Sequence, residues 1–253
     1  MRAERSESGF SLIEILVAVA ILALLAGATA PLVVRNMTAA RRDETSERLR
    51  RIVDGMVGDP SEGRFGYLGD MGNLPPTLAD LLVRGPQPPF AISPYGYGAG
   101  WSGPYVQQTQ AFADLTQDAW GVALQYSSGA AQVTSAGEDH VLGTADDLIH
   151  PASAPPTTGA LAVSVFGIPN SNPSATVALD SAEASASLAI TSNGVVSTQA
   201  LVGGGPFYSA APVPIGAHAL IVSGLGGYSG ASATQVLIVR AGSNVASATL
   251  VQP

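Results

Sequence analysis

The stretch "GFSLIEILVAVAILALLAG", residues 9–27, is an apolar run that holds one carboxylate, Glu14, four residues after Phe10. From Leu12 to Val34 Glu14 is the only charge, and that length makes about 34 Å of helix, enough to span a bilayer. Pro31 interrupts the helical ladder near the far end, and Arg35, Arg41 and Arg42 close the run. A carboxylate at membrane depth costs a few kcal/mol unless it is paired, so Glu14 reads as a functional mark.

Three readings compete for this segment. A secretory signal peptide would use Arg2 and Arg5 as its basic region and "AGATA", residues 26–30, as its cleavage site, but Pro31 would then follow the cut directly. A plain membrane anchor explains the length and leaves Glu14 without a partner. The third reading is a resemblance: "GFSLIEILVAVAILALLA" resembles the type IV prepilin signature, a short polar leader ending in Gly before Phe, with Glu fifth after the cut. The leader would be residues 1–9, cut between Gly9 and Phe10 by a prepilin peptidase, and the new Phe10 amine would be N-methylated. Cleavage then supplies a cationic amine, and that of a neighbouring subunit meets Glu14 in a low-dielectric setting, which makes Glu14 a register device for assembly.

The apolar periodicity continues beyond the arginines. Leu49, Ile52, Val53, Met56 and Val57 share one helical face, while Arg48, Arg50, Arg51 and Asp54 lie off it. Gly55, Gly58 and Pro60 mark the end, so a helix of about 70 Å is expected over residues 10–58.

Residues 59–150 are rich in turn signals. "PTLADLLVRG", 76–85, predicts a short helix with Thr77 as cap and Gly85 as stop, and "WSGPYV", "DAWGVALQYSS" and "QVTSAG" predict short strands. In the order "GDMGNLPPTLADLL", "WSGPYV", "DAWGVALQY", "SAGEDHVLGTADDLI", the chain resembles the major pseudopilin of type II secretion systems, from which "YGYGAG" and "QQTQAFADLTQ" depart as altered loops. The acidic loop 135–149 offers hard oxygen ligands from Asp139, Asp146 and Asp147, of the kind Ca2+ prefers, without the EF-hand spacing. In the resembling pseudopilins such a loop binds calcium, which would be held here by Asp139 and Asp147, with Asp146 and carbonyls near Ser135 and Leu142.

After Pro151 the composition changes. "PASAPPTTG", 151–159, reads as a semi-rigid linker, and residues 160–253 carry only Asp180, Glu183 and Arg240 as charges. Seven β-branched or alternating runs separated by turn residues predict a β-sandwich, and "VFGIPNSNPSATVAL" with "PVPIGAHALIVSG" resembles the carboxypeptidase-regulatory-like family. The expected fold class is therefore α+β: a long N-terminal helix packed on a small antiparallel sheet, then an all-β sandwich.

Composition narrows the function classes. The chain has 253 residues, a net charge of −8, 11 basic residues that are all Arg, and no Cys. That sign argues against a nucleic-acid partner, because phosphate neutralisation needs a basic face. His140 lies in the acidic loop and His218 in the strand "GAHALIVSG"; with His150 they match no hydrolase, metalloprotease or nucleotide motif, so no enzyme is expected. The resemblance implies a filament subunit that partners itself, other pilin-like subunits, a prepilin peptidase and an inner-membrane assembly platform, with its globular part periplasmic. The alternative is a membrane-anchored or secreted binding module that never polymerises and works through the sandwich.

Overall fold

A computed structural model describes residues 11–59, 62–106 and 113–253, in two units divided between Glu44 and Thr45. Helix α1 runs without a break from Leu12 to Val57 and includes Pro31. Up to Glu44 almost every described side chain is exposed, and α1 is the one helix among the described residues long and apolar enough to cross a membrane. From Thr45 the same helix changes character: Thr45, Leu49, Ile52, Val53 and Met56 are buried along one face, as their spacing predicts.

That face meets a small α+β arrangement. Helix α2 (Gly66–Met71), a 3-10 turn at Leu78–Leu81, a two-stranded ribbon of β1 (Ala91–Ile92) and β2 (Gly98–Ala99), and the short α3 (Ala113–Thr116) precede an antiparallel sheet. The sheet has the order β3 (Gln125–Ser127), β4 (Gln132–Ser135), β5 (Leu148–His150). Leu49, Ile52 and Met56 pack with Tyr67, Leu81 and Val133 in one core, each such side chain contributing about 1.5–3 kcal/mol of burial.

Residues 158–251 form two sheets over a second core. One has the order β10 (Val202–Gly204), β11 (Phe207–Pro214), β6 (Thr158–Ile168), β14 (Gly242–Val251), with β7 (Val177–Ala178) also on β6. The other has the order β13 (Ser232–Val239), β12 (Gly216–Gly224), β8 (Ala184–Ser192), β9 (Val195–Ala200). Pairing is antiparallel except β6 with β14, which runs parallel over ten residue pairs from Gly159↔Gly242 to Ile168↔Val251. Leu161, Val163 and Val165 of one sheet and Leu188, Leu220 and Val222 of the other share the core.

Three local expectations are corrected. "PTLADLLVRG" makes only a 3-10 turn, although Asp80 Oδ2 caps it by accepting the N–H and hydroxyl of Thr77 at 2.9 and 2.8 Å. Its carbonyls are taken from outside: Trp101 Nε1 donates to Asp80 O at 2.7 Å and Tyr105 N to Leu81 O at 2.8 Å, so no α ladder propagates. "WSGPYV" is a loop that supplies those donors, with Trp101 in a single bridge to Pro89. The third is the count of seven sandwich strands: among the described residues there are nine, the additional ones being β10 and β11, and in β11 a register shift between Ala210 and Val213 accommodates Pro212 and Pro214.

The two central strands of the β13–β12–β8–β9 sheet, β8 and β12, are covered on both faces. The outer face of this sheet buries Ala189 and Ala219 against Tyr97 and Ala99, and Gly194 N–H donates to Met71 O at 2.9 Å. Gly72, left-handed at φ 75°, stands so close to the Thr191 carbonyl that any Cβ would collide with it. At the edge of this contact His218 is buried, with Nε2 donating to Pro214 O at 2.7 Å and its ring edge-on to Tyr97 at 6.3 Å. Burial holds the imidazole pKa below its usual value, partly offset by the Pro214 bond.

A base whose pKa is lowered on folding adds stability above its unfolded value and loses it as the pH falls through the folded one. The melting temperature should therefore fall as the pH drops below about 6.5, the ordinary histidine value. His218→Asn, uncharged throughout, should remove that component; identical slopes in the two proteins would count against it.

Candidate functional site

Glu14 sits in the first turn of α1. Ser11 Oγ accepts the Glu14 N–H at 3.3 Å, the first half of a capping arrangement, and the Glu14 side chain is exposed with no hydrogen bond or ion pair among the described residues. The Gly9–Phe10 junction, the expected site of cleavage and methylation, lies outside the described residues.

The acidic loop between β4 and β5 is organised by its own carboxylates. Asp146 Oδ2 accepts the N–H groups of Glu138 and Asp139 at 2.7 and 3.0 Å, and its Oδ1 accepts the Thr144 hydroxyl at 2.6 Å. These bonds, Thr144 first, pull the Asp146 pKa down to about 2. Asp139 Oδ1 accepts Val141 N–H at 2.8 Å and Asp147 Oδ2 accepts Gly143 N–H at 2.7 Å. Leu142 is exposed at the tip, while Ser135 is buried at the end of β4. Among the described residues no three His, Asp or Glu side chains converge as a metal-binding group.

Ser135 belongs instead to a node that local sequence reading did not single out. Asp118 is 3% exposed; its Oδ2 accepts the Ser135 hydroxyl at 2.6 Å, and Oδ1 accepts the N–H groups of Trp120 and Val122, both at 2.9 Å. Thr45 Oγ1, on α1, accepts Ala119 N–H at 3.1 Å, and Arg48 donates to the Gln117 carbonyl at 3.2 Å. The node ties the helix, the "DAWG" turn and the start of the acidic loop together. Its available signal was the turn itself, Asp118 at the first position and Gly121 at the fourth.

Comparison with known proteins bears on the N-terminus. Residues 5–30 match the family described as the prokaryotic N-terminal methylation motif. No curated protein matches the sequence. One solved structure, the Bacillus anthracis TIE protein, is similar over 42% of this chain and 18% of its own length, at 14% identity and a TM-score of 0.29, an overlap too small to carry any argument. The methylation motif and the apolar helix behind it support a type IV pilin-like, membrane-anchored protein that assembles with other subunits after a prepilin peptidase has acted.

A carboxylate whose pKa is lowered on folding stabilises the fold above its unfolded value, near 3.8, and stops doing so as the pH falls through about 2. Amide exchange at Glu138 and Asp139 should accelerate over that window, and Asp146→Asn should show fast exchange at neutral pH. Unchanged protection in the variant would remove Asp146 as the organiser of the loop.

Proposed function

We propose that the chain is a structural subunit of a type IV pilus-like filament, of the pseudopilin class that serves type II secretion. The observation that carries this reading is one continuous helix with two codes. Its motif-bearing half has exposed apolar side chains that need lipid or neighbouring helices, and its other half is buried in its own globular core. In this reading the exposed half rests in the inner membrane until a filament forms, and the globular part is periplasmic. Glu14, without a partner within the chain's described residues, pairs with the methylated Phe10 amine of the neighbour. The role is mechanical and not catalytic.

The same reading includes Ca2+ at the acidic loop. The donor chemistry fits, since hard oxygens line a short turn-rich loop and Asp139 Oδ2 takes no hydrogen bond among the described residues. Asp139 and Asp147 would be the side-chain ligands, joined by loop carbonyls, while Asp146 shapes the loop through its amide bonds.

Mass spectrometry of the mature chain should find N-methylated Phe10 at its start; a start at Met1 or Pro31 would refute the assignment. Glu14→Ala should insert in the membrane normally and fail to assemble, whereas normal filaments would discard the pairing. For the loop, Ca2+ should raise the melting temperature and a chelator reverse it, and Asp139→Ala should abolish the response. A wild-type protein indifferent to the chelator would return the loop to an acidic turn.

A further inference from the structure

A cleft of about 490 Å3 opens between α2, the 90–105 loop and the outer side of β12 and β13. Asp70 lies in its wall, and Oδ2 of this carboxylate accepts the hydroxyls of Ser102 and Tyr105, the latter at 3.0 Å. Both are neutral donors. Among the described residues no cation comes within 4 Å of Asp70, and the arginine that lines the cleft, Arg64, is held to Glu62 at 2.6 Å. Two phenyl rings share the lining. Phe65 packs over Gly69 and Phe90 over Gly98, each so tightly that a Cβ on the glycine would collide with the aromatic side chain. Burial raises the Asp70 pKa against the opposing effect of Ser102 and Tyr105, and burial lifts the Tyr105 hydroxyl to about 12, so it remains a donor.

A half-buried carboxylate without a counter-ion is less well solvated than one in water, and it is stabilised when a cation arrives with donors for the remaining lone pairs. The surroundings select the cation. Asp70 with two hydroxyls offers too few hard ligands for Ca2+, and the other carboxylate in the lining, Asp54, is paired with Arg50 at 3.9 Å, whereas phenyl rings in the same lining as a carboxylate suit a planar, weakly hydrated guanidinium.

We infer that this cleft is a receptor for an arginine side chain presented by another polypeptide, with Asp70 as the anion and Phe65 and Phe90 as stacking walls. A second copy of this chain is the source that the sequence favours. All 11 of its basic residues are Arg, and Arg35, Arg41 and Arg42 stand exposed on α1. That source rests on the filament reading above; the chemistry of the cleft does not.

The test titrates full-length protein in detergent with N-acetyl-arginine amide and follows the chemical shifts of residues 65–70 and 98–105. N-acetyl-citrulline amide serves as the neutral isostere. Saturable shifts with the arginine compound, at least tenfold weaker with citrulline and in Asp70→Asn, support the receptor. Equal responses to both compounds, or full binding by Asp70→Asn, overturn it. The asparagine variant retains an acceptor for Ser102 and Tyr105 and removes a half-buried charge that has no counter-ion among the described residues, so it should melt no lower than the parent at neutral pH. Self-association reads the source: a loss in Asp70→Asn that Arg41→Gln or Arg42→Gln reproduces assigns the arginine to a second copy, and unchanged self-association with retained probe binding assigns it to another protein. Failure of the probe arm leaves the mass-spectrometric test of the filament reading untouched.

Discussion

Asp118 is the buried polar node where helix α1, the turn at 118–121 and the end of β4 meet, beside the apolar core they share. Its buried carboxylate accepts three hydrogen bonds, from the Ser135 hydroxyl and from the amides of Trp120 and Val122, while the turn it heads engages Thr45 and Arg48 of α1. Hydrogen bonds to a charged group contribute roughly 1.5–3 kcal/mol each, and the penalty for leaving buried donors unmet is of the same order. The bonds converge where the helix face, the three-stranded sheet and the acidic loop begin. The loop's geometry is therefore downstream of this carboxylate, because Ser135 also accepts the Gly137 N–H at 3.2 Å at the point where β4 gives way to the loop.

The helix that Asp118 grips is one element with two solvents. Beyond Thr45 the apolar residues recur at helical spacing with arginines and acids between them, and that face is consumed by the globular core. Before Glu44 the apolar residues go all round, and the side chains stay exposed. A surface of that kind in water would drive aggregation, so its physical environment is lipid or other copies of itself. Pro31 fits this division, since a missing N–H within a membrane helix is tolerated when neighbours re-satisfy the ladder.

What could be read in advance was what is encoded locally. The helix bounds, its buried face, the half-buried alternation of Val122, Leu124 and Tyr126, and the α+β class follow from periodicity over a few turns. Much of the remainder was set by partners far along the chain. The helix expected at 76–85 shrank because Trp101 and Tyr105, more than 20 residues on, take its carbonyls. Strand β11 hid behind two prolines that a bulge makes tolerable. Asp70 had no local signal, its partners being 32 and 35 residues away. The acidic loop was visible as a cluster, but its division of labour, with Asp146 turned to amides, is a product of three-dimensional placement.

The sandwich is joined to the rest by more than the segment that precedes β6. Ala189 and Ala219 on the outer face of β8 and β12 are fully buried under Tyr97 and Ala99, and Asn193 N–H reaches Asn73 Oδ1 at 3.1 Å. Small residues on one side and an aromatic on the other allow close approach, so the sheet sits on the 95–99 segment and α2 as a second layer. A module swinging freely on a linker would leave that face to water, and the strands would then alternate apolar and polar residues. Instead "GAHALIVSG" is apolar on both parities, because both faces of β12 are covered. The consequence is mechanical: a load on the sandwich would reach α2 and the 95–99 segment through packed side chains, without first extending a tether.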